Sequence, residues 1–208
     1  MTRIGVFGGT FDPIHVGHLA VASAASHALD LDQVLFVVAH RPWQKVGTRQ
    51  ISNSMMRFAM VAASTADRDD LIASSIEIDR GGSSYSVDTI EELQQENPDA
   101  ELILIVGSDV LPDLNTWHRH EDLRDMVTVG VVDRSGDEGS QAPAGWTVER
   151  ISAPLVHLSS SLLRQRLASG EPVDYLVPRA ALAVYEQWPD DEPAEQAPAV
   201  EASEESSP

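Results

Sequence analysis

Apolar residues follow two rhythms along this chain. Short runs rich in β-branched and large aliphatic side chains predict strands at residues 2–8 (TRIGVFG), 33–39 (QVLFVVA), 71–78, 101–106 (ELILIV) and 126–132. Longer stretches with helical character lie between and after them. Residues 16–29 are rich in Ala and Leu, and residues 52–65 set Met56, Met60 and Ala63 on one face behind a capping Ser52. Residues 87–96 end at Asn97-Pro98, residues 159–169 stop before Gly170 as a C′ residue, and residues 178–188 carry Pro178 in their first turn. Strands alternating with helices predict an α/β fold: a doubly wound, mostly parallel sheet with helices on both faces. Ligands in such sheets bind beyond the carboxyl ends of the strands, where strand order reverses. Each candidate motif should therefore follow a strand.

Composition and charge narrow the classes. The 208 residues are 42% apolar, enough for one domain with a sizeable core, placed here at residues 1–188. Residues 135–146 read as a flexible loop. Residues 189–208, mostly Pro, Ala, Glu and Ser with little to bury, read as an acidic disordered tail. There is no cysteine, which removes disulfide and thiolate chemistry and fits a cytoplasmic setting. MTRIGVFGGT passes from a strand into glycines without a cleavable apolar segment, so no secretory signal is expected. No apolar run approaches the ~18 residues of a membrane span. The net charge of −19 argues against a nucleic-acid partner. The tail holds seven acids and no base, leaving −12 on residues 1–189. An acidic body that binds phosphates must do so locally, with backbone amides, a few cations and a metal brought by the ligand.

Two segments suit that task. Residues 8–18 read GGTFDPIHVGH, between the first strand and the first helix. Gly8 and Gly9 clear side chains from the strand end, leaving Thr10 and Phe11 to present backbone amides to a polyphosphate. His15 and His18, three apart, share a face at the helix amino end, where free N–H groups already favour an anion. Gly17 keeps the floor between them low. The second segment, HLSSSLLRQR at 157–166, opens a helix with Ser159, Ser160 and Ser161 and puts Arg164 about one turn in. It is either a serine-capped helix with a surface arginine or a second anion site. There is no Walker-type glycine-lysine loop and no Gly-x-Gly-x-x-Gly turn.

GGTFDPIHVGH resembles the signature of the nucleotidyltransferase family that carries His-x-Gly-His on a Rossmann-like fold, and within it the bacterial nicotinate-mononucleotide adenylyltransferases. Class I aminoacyl-tRNA synthetases have a related His-x-Gly-His, but they are much longer, and no Lys-Met-Ser-Lys-Ser-like stretch occurs here. The family closes its site with Ile-Ser-Ser-Thr-x-Ile-Arg. This chain departs from that with Leu158, Ser161 and Leu163 but keeps hydroxyls and arginine. The resemblance runs from residue 3 to about 188.

Phosphopantetheine adenylyltransferases and glycerol-phosphate cytidylyltransferases share the first motif, so acceptor choice must come from the middle of the chain. SSYSVDT at 83–89 is similar to the family's Ser-Tyr-Thr-x-Asp-Thr, with Tyr85, Ser86 and Thr89 as acceptor contacts. GSDVLPDLNTWH at 107–118 follows a strand. Gly107 and Asp109 are expected on the ATP side, Asp109 accepting from ribose hydroxyls. Trp117 stacks on a flat pyridine ring or packs in the core; the family's Gly-x-Asp followed by Trp-His favours the stack. In HRPWQK at 40–45, Lys45 or Arg41 is placed to meet a substrate phosphate, with Gln44 where the family has histidine. Arg57, Arg80, His118 and His120 receive no role.

The resemblance thus implies AMP transfer from ATP to nicotinate mononucleotide, giving deamido-NAD and pyrophosphate, by direct in-line attack with no covalent enzyme intermediate. His15, His18 and Arg164 are the expected catalytic residues. Mg²⁺ would arrive on the ATP phosphates, with no dedicated protein metal ligands. Alternatives are an adenylyltransferase for nicotinamide mononucleotide or phosphopantetheine, or a nucleotide-sensing module without turnover. Neither nucleic acid nor membrane is an expected partner. The sequence leaves the oligomeric state, a homo-oligomer included, open.

Overall fold

The computed structural model describes residues 1–42, 51–133, 139–154 and 156–188. At its centre is a six-stranded sheet of β1 (Arg3–Gly9), β2 (Gln33–Val38), β3 (Leu71–Ser74), β4 (Glu101–Gly107), β5 (Thr128–Val132) and β6 (Val148–Ile151). The order is β3-β2-β1-β4-β5-β6, and every adjacent pair is parallel. The chain thus winds outward from β1 in one direction, then returns to β1's other side and winds the opposite way. The reversal falls between β1 and β4, where the two strand ends diverge and leave a crevice.

Strand side chains alternate between two apolar layers, as a sheet buried on both faces requires. From β2, Val34, Phe36 and Val38 join one layer while Leu35 and Val37 join the other; from β4, Ile103 and Ile105 oppose Leu102, Leu104 and Val106. The first layer is covered by α1 (Val16–Ala28), α2 (Ser54–Thr65), α6 (Ser160–Ala168) and α7 (Arg179–Gln187), through residues such as Ala22, Met60, Leu163 and Ala181. The second is covered by α4 (Ser86–Glu96), a 3₁₀ helix (Ser108–Thr116) and α5 (His120–Met126), through Ile90, Leu111 and Leu123. Among the described residues, no helix is long and apolar enough to cross a membrane.

Several boundaries differ from the sequence expectations. The strand expected over 71–78 stops at Ser74, and Ile76–Arg80 form a short helix, α3. β3 is an edge strand with only β2 to pair with, and its ladder ends at the pair Val37 and Ser74, one residue before the end of β2. Asn53, not Ser52, caps α2, its Oδ1 accepting from the Met55 and Met56 amides at 2.8 and 3.3 Å. Pro178 takes the cap position before α7 rather than its first turn. Gly170 has φ +68°, the left-handed conformation expected after α6. The 3₁₀ helix, α5 and β6 are additions; α5 and β6, of seven and four residues, are too short to show a periodicity of their own. The proposed tail, the loop segment 134–138 and Lys45 lie outside the described residues.

Candidate active site

The crevice at the strand reversal is a cleft of about 370 Å³. His15, Gly17 and His18 line one wall, Gly107 at the end of β4 and Val132-Asp133 at the end of β5 line the floor, and residues 156–159 with Leu162 line the other wall. Of the proposed ATP contacts, His15, His18, Gly107 and Ser159 therefore meet in one cleft. Asp109 is exposed in the first turn of the 3₁₀ helix, just past Gly107.

The glycines and rings of the first motif hold one another in place. Phe11 sits at φ +48°, a conformation that strains a residue with a side chain, and its ring is buried against Phe7 and Phe36 at 5.7 and 5.5 Å. Burial of that ring stabilises the strained turn. Any Phe11 contribution to ligand binding must come from its backbone. A Cβ on Gly9 would lie 2.7 Å from the Phe11 ring, so glycine is required there; at Gly8 the space is open. His15 caps α1, and its amide donates to His18 Nδ1 at 3.2 Å. The two imidazoles stack at 3.7 Å with planes 20° apart, and His18 meets the edge of Phe11 at 5.0 Å. Histidine spacing of three has become a locked pair at a helix amino end.

The second motif is fastened to the first. Ser159 Oγ caps α6, accepting from the Leu162 amide at 3.2 Å. Ser160 Oγ donates to the Pro13 carbonyl at 3.0 Å, across 147 residues of sequence. Arg164 Nη1 donates to the Asp12 carbonyl and lies 3.7 Å from Asp12 Oδ2, while Nη2 reaches Ser161 Oγ at 3.0 Å. The hydroxyls expected on phosphate are thus partly spent: Ser159 and Ser160 orient the helix. What α6 presents to the cleft is its amino end, at Ser159 and Leu162, while Arg164, about a quarter exposed, is fastened to Asp12 and Ser161.

Away from the cleft, Tyr85, Trp117 and His118 gather around the start of α4. Tyr85 stacks on His118 at 4.3 Å, so one face of its ring is taken; His118, given no role from sequence, is its partner. Trp117 is half-buried against the second apolar layer, and its indole Nε1 has no hydrogen-bond partner among the described residues. Ser86 begins α4, whose first turn lacks a side-chain cap. Thr89 is a correction. It is buried, with Oγ1 donating to Glu77 Oε1 at 2.7 Å and accepting from Arg80 Nη2 at 3.0 Å, so its hydroxyl faces inward and ties α4 to α3. Burial pushes the Glu77 carboxyl above the ordinary carboxylate range, opposed by hydrogen bonds from Ser84 and Thr89 and by nearby Arg80. Arg119 bridges Glu91 and Asp122 at 2.6 and 2.7 Å, fixing α5 to α4 beside this cluster.

A cytidylyltransferase-like family model matches residues 6–166, a span that includes both motifs. Proteins named "Probable nicotinate-nucleotide adenylyltransferase" are similar over most of their length. The Thermus thermophilus protein is 43% identical over 178 residues, covering 86% of this chain and 93% of that one. The Exiguobacterium sibiricum protein is 39% identical over 186 residues, covering 89% and 97%. This chain belongs to the nicotinate-nucleotide adenylyltransferase family. It is a nucleotidyltransferase enzyme. In fold it is similar to Plasmodium falciparum nicotinic acid mononucleotide adenylyltransferase complexed with NaAD, with a TM-score of 0.72 at 16% identity, covering 89% of this chain and 96% of that one.

Two kinds of residue in this member of the nicotinate-nucleotide adenylyltransferase family escaped sequence reasoning. Val132 and Asp133 line the cleft from the end of β5, a position that the strand-end rule already marked. Pro154 and Val156 follow β6, which had no sequence signal strong enough to place it. Arg57 is wholly buried on the inward stripe of α2, three and four residues before Met60 and Val61. An arginine within an apolar stripe was the available signal.

Proposed function

We propose that residues 1–188 transfer the adenylyl group of ATP to nicotinate mononucleotide, yielding nicotinate adenine dinucleotide and pyrophosphate. One observation carries the reading: the amino ends of two helices, α1 with stacked His15 and His18 and α6 at Ser159, line one cleft at the strand reversal, and Arg164 of α6 ties them together through Asp12. The acceptor's phosphate oxygen bonds to the α-phosphorus. The bond from that phosphorus to the bridging oxygen of the β-phosphate breaks, and pyrophosphate leaves with the electron pair. His15 and His18 hold the α- and β-phosphates, and Arg164 with the α6 amides holds the outgoing pyrophosphate. Fixed donors of this kind need no reorganisation as charge moves to the leaving group.

Mg²⁺ carried on the ATP phosphates supplies further charge neutralisation. Asp109 is exposed to take ribose hydroxyls beside Gly107. Trp117 presents an indole for the pyridine ring, and the uncapped amino end of α4 at Ser86 favours a ring carboxylate over an amide. Lys45, argued from sequence alone, meets the acceptor phosphate. A cytoplasmic setting accords with a cysteine-free chain.

Pyrophosphate release with ATP and Mg²⁺ tests this, comparing nicotinate mononucleotide, nicotinamide mononucleotide and phosphopantetheine. Fast release with the nicotinate compound alone is expected. Preference for another acceptor overturns the assigned roles of Trp117 and Ser86. No release despite ATP binding overturns catalysis and leaves a sensor.

A further inference from the structure

Arg57 is 0% exposed and has no part in the reaction just described. Its guanidinium donates to four main-chain carbonyls drawn from three segments. Nε reaches Ser52 O at 2.9 Å; Nη1 reaches Thr10 O at 2.9 Å and Ala39 O at 2.7 Å; Nη2 reaches His40 O at 3.2 Å. These segments meet where the sheet stops holding them. The β1–β2 ladder ends with Gly9 and Val38, and one more main-chain bond, from the Ala39 amide to Gly9 O at 2.9 Å, follows it. Beyond that point the two chains part, and their carbonyls point into shared space. A planar fork of donors fits that gap; the single ammonium of lysine does not match its breadth.

The two parted chains lead to different halves of the site. Thr10 continues through Asp12 and Pro13, held by Arg164 and Ser160, to His15 on the ATP side. His40 continues to Arg41, whose amide donates to Ser84 Oγ at 3.2 Å while the Ser84 amide donates back to Arg41 O at 3.1 Å. Ser84 directly precedes Tyr85 and Ser86 on the acceptor side. We infer that Arg57 is a positioning residue that sets the spacing between the ATP-holding loop and the acceptor-holding loop. It governs alignment of the two reactants rather than affinity for either. The inference rests on the adenylyl-transfer reading.

In-line transfer depends on approach distance, and a misplacement near 1 Å costs on the order of 10²-fold. The test is Arg57→Lys, with Arg57→Met beside it. Three quantities are read: kcat for pyrophosphate release, the Kd of a non-hydrolysable ATP analogue alone, and the Kd of nicotinate mononucleotide alone. Arg57→Lys is expected to lower kcat by about 10²-fold while both Kd values stay within about threefold, and Arg57→Met to lower it further. A variant that is less heat-stable but turns over at the wild-type rate overturns the inference. So does a rise in the Kd for ATP alone that accounts for the whole loss. If neither Arg57 variant folds, Ser84→Ala breaks the next link. It removes the bonds of the Ser84 hydroxyl to the Arg41 amide and to Glu77, and should lower kcat at least about threefold to tenfold, with both Kd values held; unchanged kcat there also overturns the inference. Wild-type turnover is measured first, so failure of the adenylyl-transfer reading shows as an inactive parent and failure of this inference as an unchanged ratio of variant to parent.

Discussion

Gly17→Ala separates stability from activity at a single methyl group. Gly17 is the second residue of α1, and a Cβ there would stand 3.0 Å from His15 Nδ1, 3.1 Å from His15 Cε1 and 3.7 Å from Val156 Cβ. The two contacts with His15 are tighter than ordinary van der Waals separation, so the imidazole must give by a few tenths of an ångström. It has little room. His15 is 5% exposed and stacks at 3.7 Å on His18, which in turn abuts Phe11. Alanine in a helix is worth up to about 1 kcal/mol over glycine, and mild overpacking costs about the same, so net stability should change by no more than about 1 kcal/mol. Turnover should fall about fourfold, since a few tenths of an ångström is about a third of the displacement that costs 10²-fold. Thermal melting gives the first quantity. Pyrophosphate release, normalised to sites that bind an ATP analogue, gives the second. A folded Gly17→Ala protein with parental kcat would falsify the claim that glycine is there to seat His15.

Other outcomes follow from the same geometry. His18→Ala should lower kcat by roughly 10²–10³, the loss of one transition-state donor, and near-parental turnover in a folded protein would remove His18 from the chemistry. Trp117→Ala should raise KM for the mononucleotide about tenfold and leave KM for ATP unchanged; a matching rise for ATP would return Trp117 to core packing. Glu77 bears on pH. Its folded-state pKa is raised by burial, so the folded protein holds that proton more tightly than the unfolded chain. The resulting stabilisation is full below the ordinary glutamate value of about 4.3 and is lost as pH rises through the raised one. Denaturant midpoints of Glu77→Gln should lack that downward slope, and a slope equal to the parent's would assign it to other groups.

An acidic body binding two polyanions is no contradiction once the site is seen. Neither motif relies on net charge. Each uses the amino end of a helix, where the helix dipole places partial positive charge, and adds one or two nearby side chains. The protein's net negative field opposes the approach of anions and is screened beyond about 8–10 Å, so attraction acts only within the cleft.

Much of this arrangement was legible from residue order because it is decided locally. Continuous apolar runs such as ELILIV had to be strands buried on both faces, and their alternation with helices implied a parallel sheet. His15 and His18 had to share a face, since three residues make nearly one turn. Elements with too few residues to display a period stayed hidden: α3, α5 and β6 have five, seven and four. So did every choice of hydrogen-bond partner. Nothing near Ser160 in sequence indicates that its hydroxyl is spent on Pro13, nor that Thr89 turns inward to Glu77. Arg57 is the clearest case. Its four partners come together only when β1, β2 and the approach to α2 have been laid side by side, and a buried carbonyl then takes whichever donor the packed chain brings within reach. Spacing along the chain determined which residues could share a helix face or a strand end; the tertiary structure decided which polar groups were consumed in holding the site and which remained for the ligands, because that depends on distances between segments far apart in sequence.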